Sequence, residues 1–240
     1  GSVDVYKRQI NASTVRVLGK LGVDVTVRSE SYCCGALAHH IGEGDAAHEA
    51  MRANLLAWRE EIEAGDIDAI ITNASGCGTM VKDYGHLAAG DPELADIAAT
   101  ISAMTRDITE YLGELPLETI IQQTKGGRGP VTYHSACSLQ HGQSVHDLPM
   151  QLLRLAGFEV RQPLEPHLCC GSAGVYNILQ PEMADKLKAR KLENLGKAGA
   201  PWIAAGNIGC IQQLGDALPV RHTIRFIDWA SGGPPPDDAV

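Results

Sequence analysis

Cys33-Cys34-Gly35 and Cys169-Cys170-Gly171 are the same tripeptide at two points of the chain, and each is answered downstream by a lone Gly-Cys. Cys77, after Gly76, follows the first tripeptide with 41 intervening residues, and Cys210, after Gly209, follows the second with 38. Cys137 precedes the second pair, with 31 residues between them. Six of the seven cysteines thus belong to a two-fold repeat, and the seventh completes one copy. Thiolates drawn from distant points of a fold usually hold a soft metal. The chain reads as two related half-domains built around iron–sulfur or zinc chemistry.

The repeat extends beyond the cysteines. Leu21-Gly22-Val23-Asp24-Val25 matches Ala156-Gly157-Phe158-Glu159-Val160. Each follows an apolar helical stretch and is expected to open a strand, the first at Val23 and the second at Glu159. Each copy then runs helix, glycine stop, strand, Cys-Cys-Gly, long helix, strand, Gly-Cys, helix. Strands alternating with helices imply parallel βαβ units. The expected fold is therefore α/β, two pseudo-symmetric half-domains with short parallel sheets flanked by helices. In the first copy the long helix is expected over 45–64, with Met51, Leu55, Trp58 and Ile62 on one face and Gly65 as its stop. Ala69-Ile70-Ile71-Thr72 is the strand leading to Cys77. In the second, Pro181 and Glu182 open a helix carrying Met183, Leu187 and Leu195, and Trp202-Ile203-Ala204-Ala205 is the strand before Cys210. Residues 92–112 read as an extra helix between the copies. Val131-Thr132-Tyr133-His134 opens the second copy as a strand.

Bulk properties narrow the function. The 44% hydrophobic and 20% charged content is that of an ordinary globular protein. A net charge of −9 argues against nucleic acid as a partner, because phosphate binding needs basic clusters. No apolar run reaches membrane-span length, so no transmembrane segment is expected. An odd cysteine count without a short disulfide framework fits a reducing cytoplasm. No Gly-x-Gly-x-x-Gly follows an expected strand, so a nicotinamide or flavin site on this chain is not expected, and neither is a catalytic residue acting on substrate.

Asp4-Val5-Tyr6-Lys7-Arg8-Gln9 resembles a translated sequencing adaptor, so residues 1–9 are expected to be non-native and the native sequence to start near Ile10, as part of something longer. The first half-domain is then 10–122, truncated at its N-terminus. Residues 122–130, with Gly126, Gly127 and Gly129, form the linker. The second half-domain is 130–230, and 231–240, with three prolines and two aspartates, reads as a disordered tail.

Adjacent cysteines in a regular strand point to opposite faces, so aiming both at one site needs a turn. The glycine after each pair permits one, by allowing positive φ. Cys137 and Cys210 each follow an expected strand and precede a helix, where the helix dipole favours thiolate. Cys137, Cys169, Cys170 and Cys210 suffice for an iron–sulfur cluster. Cys33, Cys34 and Cys77 make three ligands, with the fourth position near residue 1. A single buried cysteine is usually inert packing, but two matched sets argue otherwise. Zinc stays open, although the usual Cys-x-x-Cys knuckle is missing. A strained, redox-labile disulfide within either Cys-Cys pair also stays open. His39, His40, His134 and His141 flank the cysteines as second ligands or surface groups, with His134 the most suggestive because it ends a strand three residues before Cys137. Lys82, Asp83 and Tyr84 read as a solvated helix face.

These motifs together resemble a known family. Cys33-Cys34-Gly35-Ala36, Ala74-Ser75-Gly76-Cys77-Gly78, Val81-Lys82-Asp83-Tyr84-Gly85, His167-Leu168-Cys169-Cys170-Gly171-Ser172-Ala173-Gly174, Asn207-Ile208-Gly209-Cys210 and Val220-Arg221-His222 are similar to the iron–sulfur subunit of bacterial glycolate oxidase. The wider cysteine-rich CCG superfamily includes a cysteine-rich subunit of heterodisulfide reductase and lactate-utilisation iron–sulfur proteins. The resemblance implies an electron-transfer subunit with a 4Fe-4S cluster. Its partners would be FAD-binding glycolate oxidase subunits and an N-terminal ferredoxin-like part of the same subunit. Electrons would pass from the flavoprotein towards quinone. The implied location is cytoplasmic, peripheral at the inner face of the membrane through the complex. The heterodisulfide relatives carry an extra cysteine where Ala74 and Asn207 stand here, so cluster type does not carry over. Rival readings are a thiol–disulfide catalyst, a lactate-utilisation protein and a cluster-free assembly module.

Overall fold

The computed structural model describes residues 3–27 and 33–236. The first half contains α1 (Val3–Lys20), α2 (Ala36–His40), α3 (Gly44–Ala64), β1 (Ile70–Thr72), α4 (Ser75–Lys82), α5 (Tyr84–Leu87), α6 (Ala95–Met104), β2 (Thr105–Asp107) and α7 (Ile108–Gly113). The second contains β3 (Pro130–His134), a short π-helical turn (Ser138–Gly142), α8 (Leu148–Leu155), β4 (Glu159–Arg161), α9 (Tyr176–Leu179), α10 (Pro181–Lys197), β5 (Trp202–Ala205), α11 (Ile208–Gly215), β6 (Val220–His222) and α12 (Thr223–Ala230). All strand pairs are parallel. The α/β class and the short parallel sheets flanked by helices are as expected.

The second-half sheet has the order β4-β3-β5-β6. The chain leaves β3 for β4 on one side and returns for β5 on the other, so the order reverses between β3 and β5. That is the topological switch point at which open parallel sheets leave a crevice beyond their strand ends. Strand alternation sorts the side chains. Val131 and Tyr133 of β3, with Trp202 and Ala204 of β5, face α8 and α12, against Met150, Leu153 and Phe226. Ile203 and Ala205 face α10 and α11, against Leu195, Ile211 and Leu214. The same alternation sends Thr132 and His134 away from the α8 and α12 face.

In the first half, β1 pairs with β2 as β5 pairs with β6. Residues 105–107 are therefore a strand, which corrects the extra-helix reading of 92–112. A β-extended Thr105 ends α6, and Asp107 caps α7. The strand expected at Val23 is absent, since 23–27 form no strand, while 28–32 lie outside the described residues. Its counterpart β4 exists by pairing with β3. Among the described residues the first half offers no equivalent of β3, so this backbone has no ladder to join.

Periodicity was informative in α3, where Met51 and Leu55 are buried and Trp58 and Ile62 pack on the same cluster. Gly65 ends the helix at φ 75°. In α10 the expected stripe shifts: Met183 is exposed, and the buried residues are Ala184, Lys191, Asn194 and Leu195. Residues 122–129 hold no helix or strand. Within the tail, 231–236 are tied down, because Arg221 and Arg225 donate to the Pro236 and Pro235 carbonyls and Lys20 to that of Ser231. Residues 237–240 lie outside the described residues.

A shared core joins the halves. Ile10, Val17 and Leu18 of α1, Ile108 and Leu112 of α7, Leu152 of α8, and Ile224 and Ile227 of α12 form one cluster. Residues 3–9 continue α1, and Arg225 donates to Gln9 Oε1. The Asp228 carboxylate, 1% exposed, accepts from Ser13 Oγ at 2.8 Å and from the Arg16 guanidinium. Replacing Arg16 with Met would leave that carboxylate buried with only a hydroxyl donor. Such changes cost about 3 kcal/mol, and a lowered thermal midpoint, partly recovered in Arg16→Lys, is the expected readout.

Asp107, 2% exposed, caps α7 by accepting from Thr109 N at 2.8 Å and Thr109 Oγ1 at 2.6 Å, while Glu110 reaches back to its N–H. Burial pushes its carboxyl up to about 6, against the pull of the Thr109 hydrogen bonds. The folded state then binds the proton more tightly than the unfolded chain. This group's contribution to stability is greatest below pH 4 and is lost as pH rises through 6. Asp107→Asn keeps an acceptor for the cap, and it should remove up to about 3 kcal/mol of the pH 4-to-7 change in unfolding free energy. Urea titrations at the two pH values check this, and an unchanged pH slope would refute it.

Candidate metal centre

Four cysteines of the second half arrive from three directions at the β3/β5 switch point. Cys137 lies just past β3, and Cys210 lies in the first turn of α11, just past β5. Cys169 and Cys170 come from the loop between β4 and α9. Gly171 has φ 91°, and a Cβ there would lie 2.5 Å from the Ala184 carbonyl oxygen of α10. Only glycine lets the loop turn this tightly against the helix, as its position after the cysteine pair implied. Gly35, at φ 84°, repeats the arrangement, 2.9 Å from the Ala47 carbonyl of α3.

The sulfurs form a contact chain. The Cys170 and Cys210 Sγ atoms are 3.3 Å apart, and the Gly171 N–H donates to Cys169 Sγ at 3.3 Å. Hydrogen bonds from Cys137 and Cys170 hold the Cys169 thiol well below its ordinary value and push their own up. Cys210 is held down to about 5 by the Cys170 hydrogen bond, against its burial. Raised and lowered cysteines therefore alternate along the contact chain. His134, Cys170 and Cys210 are all buried, with ligand atoms within 4.8 Å of one another. Neither His134 ring nitrogen has a hydrogen-bond partner of ordinary geometry, and the imidazole favours the Cys210 thiolate. A buried polar ring in that state suits a ligand or a second contact to a metal centre. The donor set is that of a soft metal or an iron–sulfur cluster.

In the first half, Cys34 is buried, while Cys33 and Cys77 are exposed. Cys77 lies in the first turn of α4, as Cys210 does in α11. Cys34 donates to Cys77, which pushes the Cys34 thiol up. Tyr84 corrects the reading of a solvated face: its ring is fully buried, and its hydroxyl donates to the Cys34 carbonyl at 2.9 Å. Asn54 of α3 donates to the Cys33 carbonyl at 3.0 Å and to Tyr84 Oη at 3.2 Å. Lys82 pairs with Glu110, and Asp83 remains exposed. His39, His40 and His141 are exposed, so only His134 of the four histidines enters a cysteine site.

The two sites adjoin through polar contacts. Ser75 and Ser138 share a hydrogen bond at 2.7 Å, and Ser75 N–H donates to the Gly206 carbonyl. Asn207 caps α11 by accepting from Gly209 N at 3.0 Å, and it donates to Ser138 Oγ at 3.1 Å. A residue that sequence reading did not single out also belongs here. Lys191 of α10 is fully buried and donates to the Glu165 and Pro166 carbonyls at 3.2 and 3.3 Å. Burial lowers its pKa, opposed by the sulfurs of Cys170, Cys210 and Cys169. The signal available in the sequence was a lysine in register with the apolar stripe, four residues before Leu195.

Comparison with known proteins agrees with this geometry. The chain is 37% identical over 222 residues to the glycolate oxidase iron-sulfur subunit of Escherichia coli (strain K12), covering 92% of this chain and 54% of that protein. It is 35% identical over 205 residues to a probable glycolate oxidase iron-sulfur subunit of Bacillus subtilis (strain 168), covering 85% and 45%. Lactate utilization protein A of Geobacillus kaustophilus (strain HTA426) is 27% identical over 217 residues, covering 90% and 87%. The chain thus spans about half the length of the two glycolate oxidase relatives. The family model of the cysteine-rich domain matches twice, at residues 2–82 and 131–215, once over each cysteine set. With two copies of that model covering most of its length, the chain belongs to the CCG cysteine-rich domain family.

Proposed function

We propose that this chain is an electron-transfer iron–sulfur unit of a glycolate, or related 2-hydroxy acid, oxidase. The observation that carries the reading is the convergence of Cys137, Cys169, Cys170 and Cys210 at the β3/β5 crevice. The names of the relatives supply the context. In this reading those four cysteines hold a 4Fe-4S cluster, which when bound supplies one-electron chemistry. Cys33, Cys34 and Cys77 form a second, more open set in the first half-domain (10–122). The second half-domain is 130–230.

The chain's own groups would serve that role in distinct ways. Metal binding needs thiolates, and the hydrogen bonds that lower Cys169 and Cys210 favour that form at two of the four positions. Gly171 fixes the turn that presents adjacent cysteines to one pocket, and His134 flanks Cys210. Binding a cluster would release the thiol protons that remain on this set. Oxidation of the 2-hydroxy acid would fall to an FAD-bearing partner, with electrons passing onward towards quinone. A ferredoxin-like part of the same subunit would stand between them. No described helix is long and apolar enough to cross a membrane, which fits a proposed cytoplasmic complex peripheral to the inner membrane face.

Anaerobic reconstitution with iron and sulfide, followed by visible absorbance and iron and sulfide analysis, tests the reading. Broad visible bands with bound sulfide are expected. Cys137→Ala or Cys210→Ala should remove most of the iron, whereas Cys77→Ala should change it little. Zinc binding without sulfide uptake would overturn the electron-transfer role. Equal iron loss in all three variants would overturn the assignment of the stable site to the second half.

A further inference from the structure

We propose that Lys191 is a cationic positioning residue of the second cysteine set: it holds the loop that delivers Cys169 and Cys170, and its charge offsets the negative charge gathered there. The proposal deepens the cluster reading and rests on it. Three observations support it.

First, Lys191 is fully buried, and its ammonium is held by the carbonyls of Glu165 and Pro166, a few residues ahead of Cys169. Second, among the described residues no carboxylate pairs with it directly. The nearby Glu165 carboxylate is engaged by Arg190 and by Asn194, at 2.9 Å from the latter. A buried ammonium without a paired anion is costly. Apart from Glu165, the groups that favour its charge, against burial, are the sulfurs of Cys170, Cys210 and Cys169. Third, the first half does the same mechanical work without a charge. The Cys-Cys-Gly glycine backs onto Ala47 in one half and Ala184 in the other, and seven residues further along each helix stand Asn54 and Lys191. Asn54 also donates to a carbonyl of the cysteine loop, that of Cys33. Holding the loop therefore needs only a donor. The positive charge answers to the sulfurs.

A neutral residue at 191 should favour the oxidised cluster, because reduction adds negative charge to a pocket with no cation to meet it. The test uses the full chain with Cys33→Ser, Cys34→Ser and Cys77→Ser, so that only the second set is read. Redox titration of the reconstituted cluster should show Lys191→Gln and Lys191→Met lowering the midpoint by about tenfold in the reduction equilibrium, ~59 mV for a one-electron couple, while Lys191→Arg stays near the parent. Cobalt(II) titration of the metal-free protein, followed by thiolate charge-transfer absorbance, should show about tenfold weaker binding in Lys191→Gln, since the thiolate complex carries net negative charge. Lys191→Gln keeps a donor for the loop and serves if Lys191→Met does not fold. Unchanged midpoint and cobalt affinity in folded Lys191→Gln would overturn the proposal. An equal loss in Lys191→Arg would also do so, by showing that shape rather than charge matters. If no variant, nor the parent, takes up iron and sulfide, the proposed function fails, while the cobalt titration still decides the role of Lys191.

Discussion

Four sulfur atoms pressed together beneath a protein surface are an electrostatic problem before they are a ligand set. The second half meets it by alternation. Hydrogen bonds along the set push the Cys137 and Cys170 thiols up and hold Cys169 and Cys210 down. A Gly171 N–H faces Cys169, and the first turn of α11 and the His134 ring lie at Cys210. Each of these depends on the parallel sheet. Only a sheet whose strand order reverses between β3 and β5 brings the ends of both strands to one crevice, with α10 close enough to press a lysine behind the loop.

The two halves are copies that have diverged in the surroundings of their cysteines rather than in their framework. Both present a Cys-Cys-Gly loop against a helix carbonyl, and both place a later cysteine in the first turn of an eight-residue helix. Yet one loop is supported by neutral groups, Asn54 and Tyr84, with two of its three cysteines exposed. The other is supported by an ammonium and largely closed from solvent. The halves are not independent. α1 packs on α12 and α7 on α8, so each half completes the apolar core of the other. Ser75, Ser138 and Asn207 link the segments that carry Cys77, Cys137 and Cys210.

Much of this was legible from residue order. The duplicated tripeptide named both sites, the glycines after the pairs announced the turns, and the apolar register of α3 gave its buried face. The β5 strand falls at the residues its composition indicated, Trp202–Ala205. Where reading failed, a partner distant in sequence decided the outcome. Val23 and its neighbours have strand-like composition but, among the described residues, no strand beside them, and a single extended segment cannot satisfy its own backbone. Residues 105–107 look like the end of a helix, yet they pair with β1 because the parallel neighbour is there. Tyr84 sits among polar residues after Cys77, but α3 closes over it, so a ring that reads as surface becomes the support of Cys34.

The sequence by itself determined the two-fold repeat, the identity of the sulfur donors and the α/β alternation, because these follow from spacing and from the local conformational limits of glycine, helix and strand. Tertiary structure alone decided which half is closed, which histidine reaches the sulfurs and that Lys191 lies behind them. Those outcomes depend on the burial of charge, and burial is set by what packs from elsewhere in the chain. A lysine on a helix is soluble surface by default. It becomes a buried charge behind a cysteine cluster only when a sheet, a loop and the cysteine sulfurs gather around it.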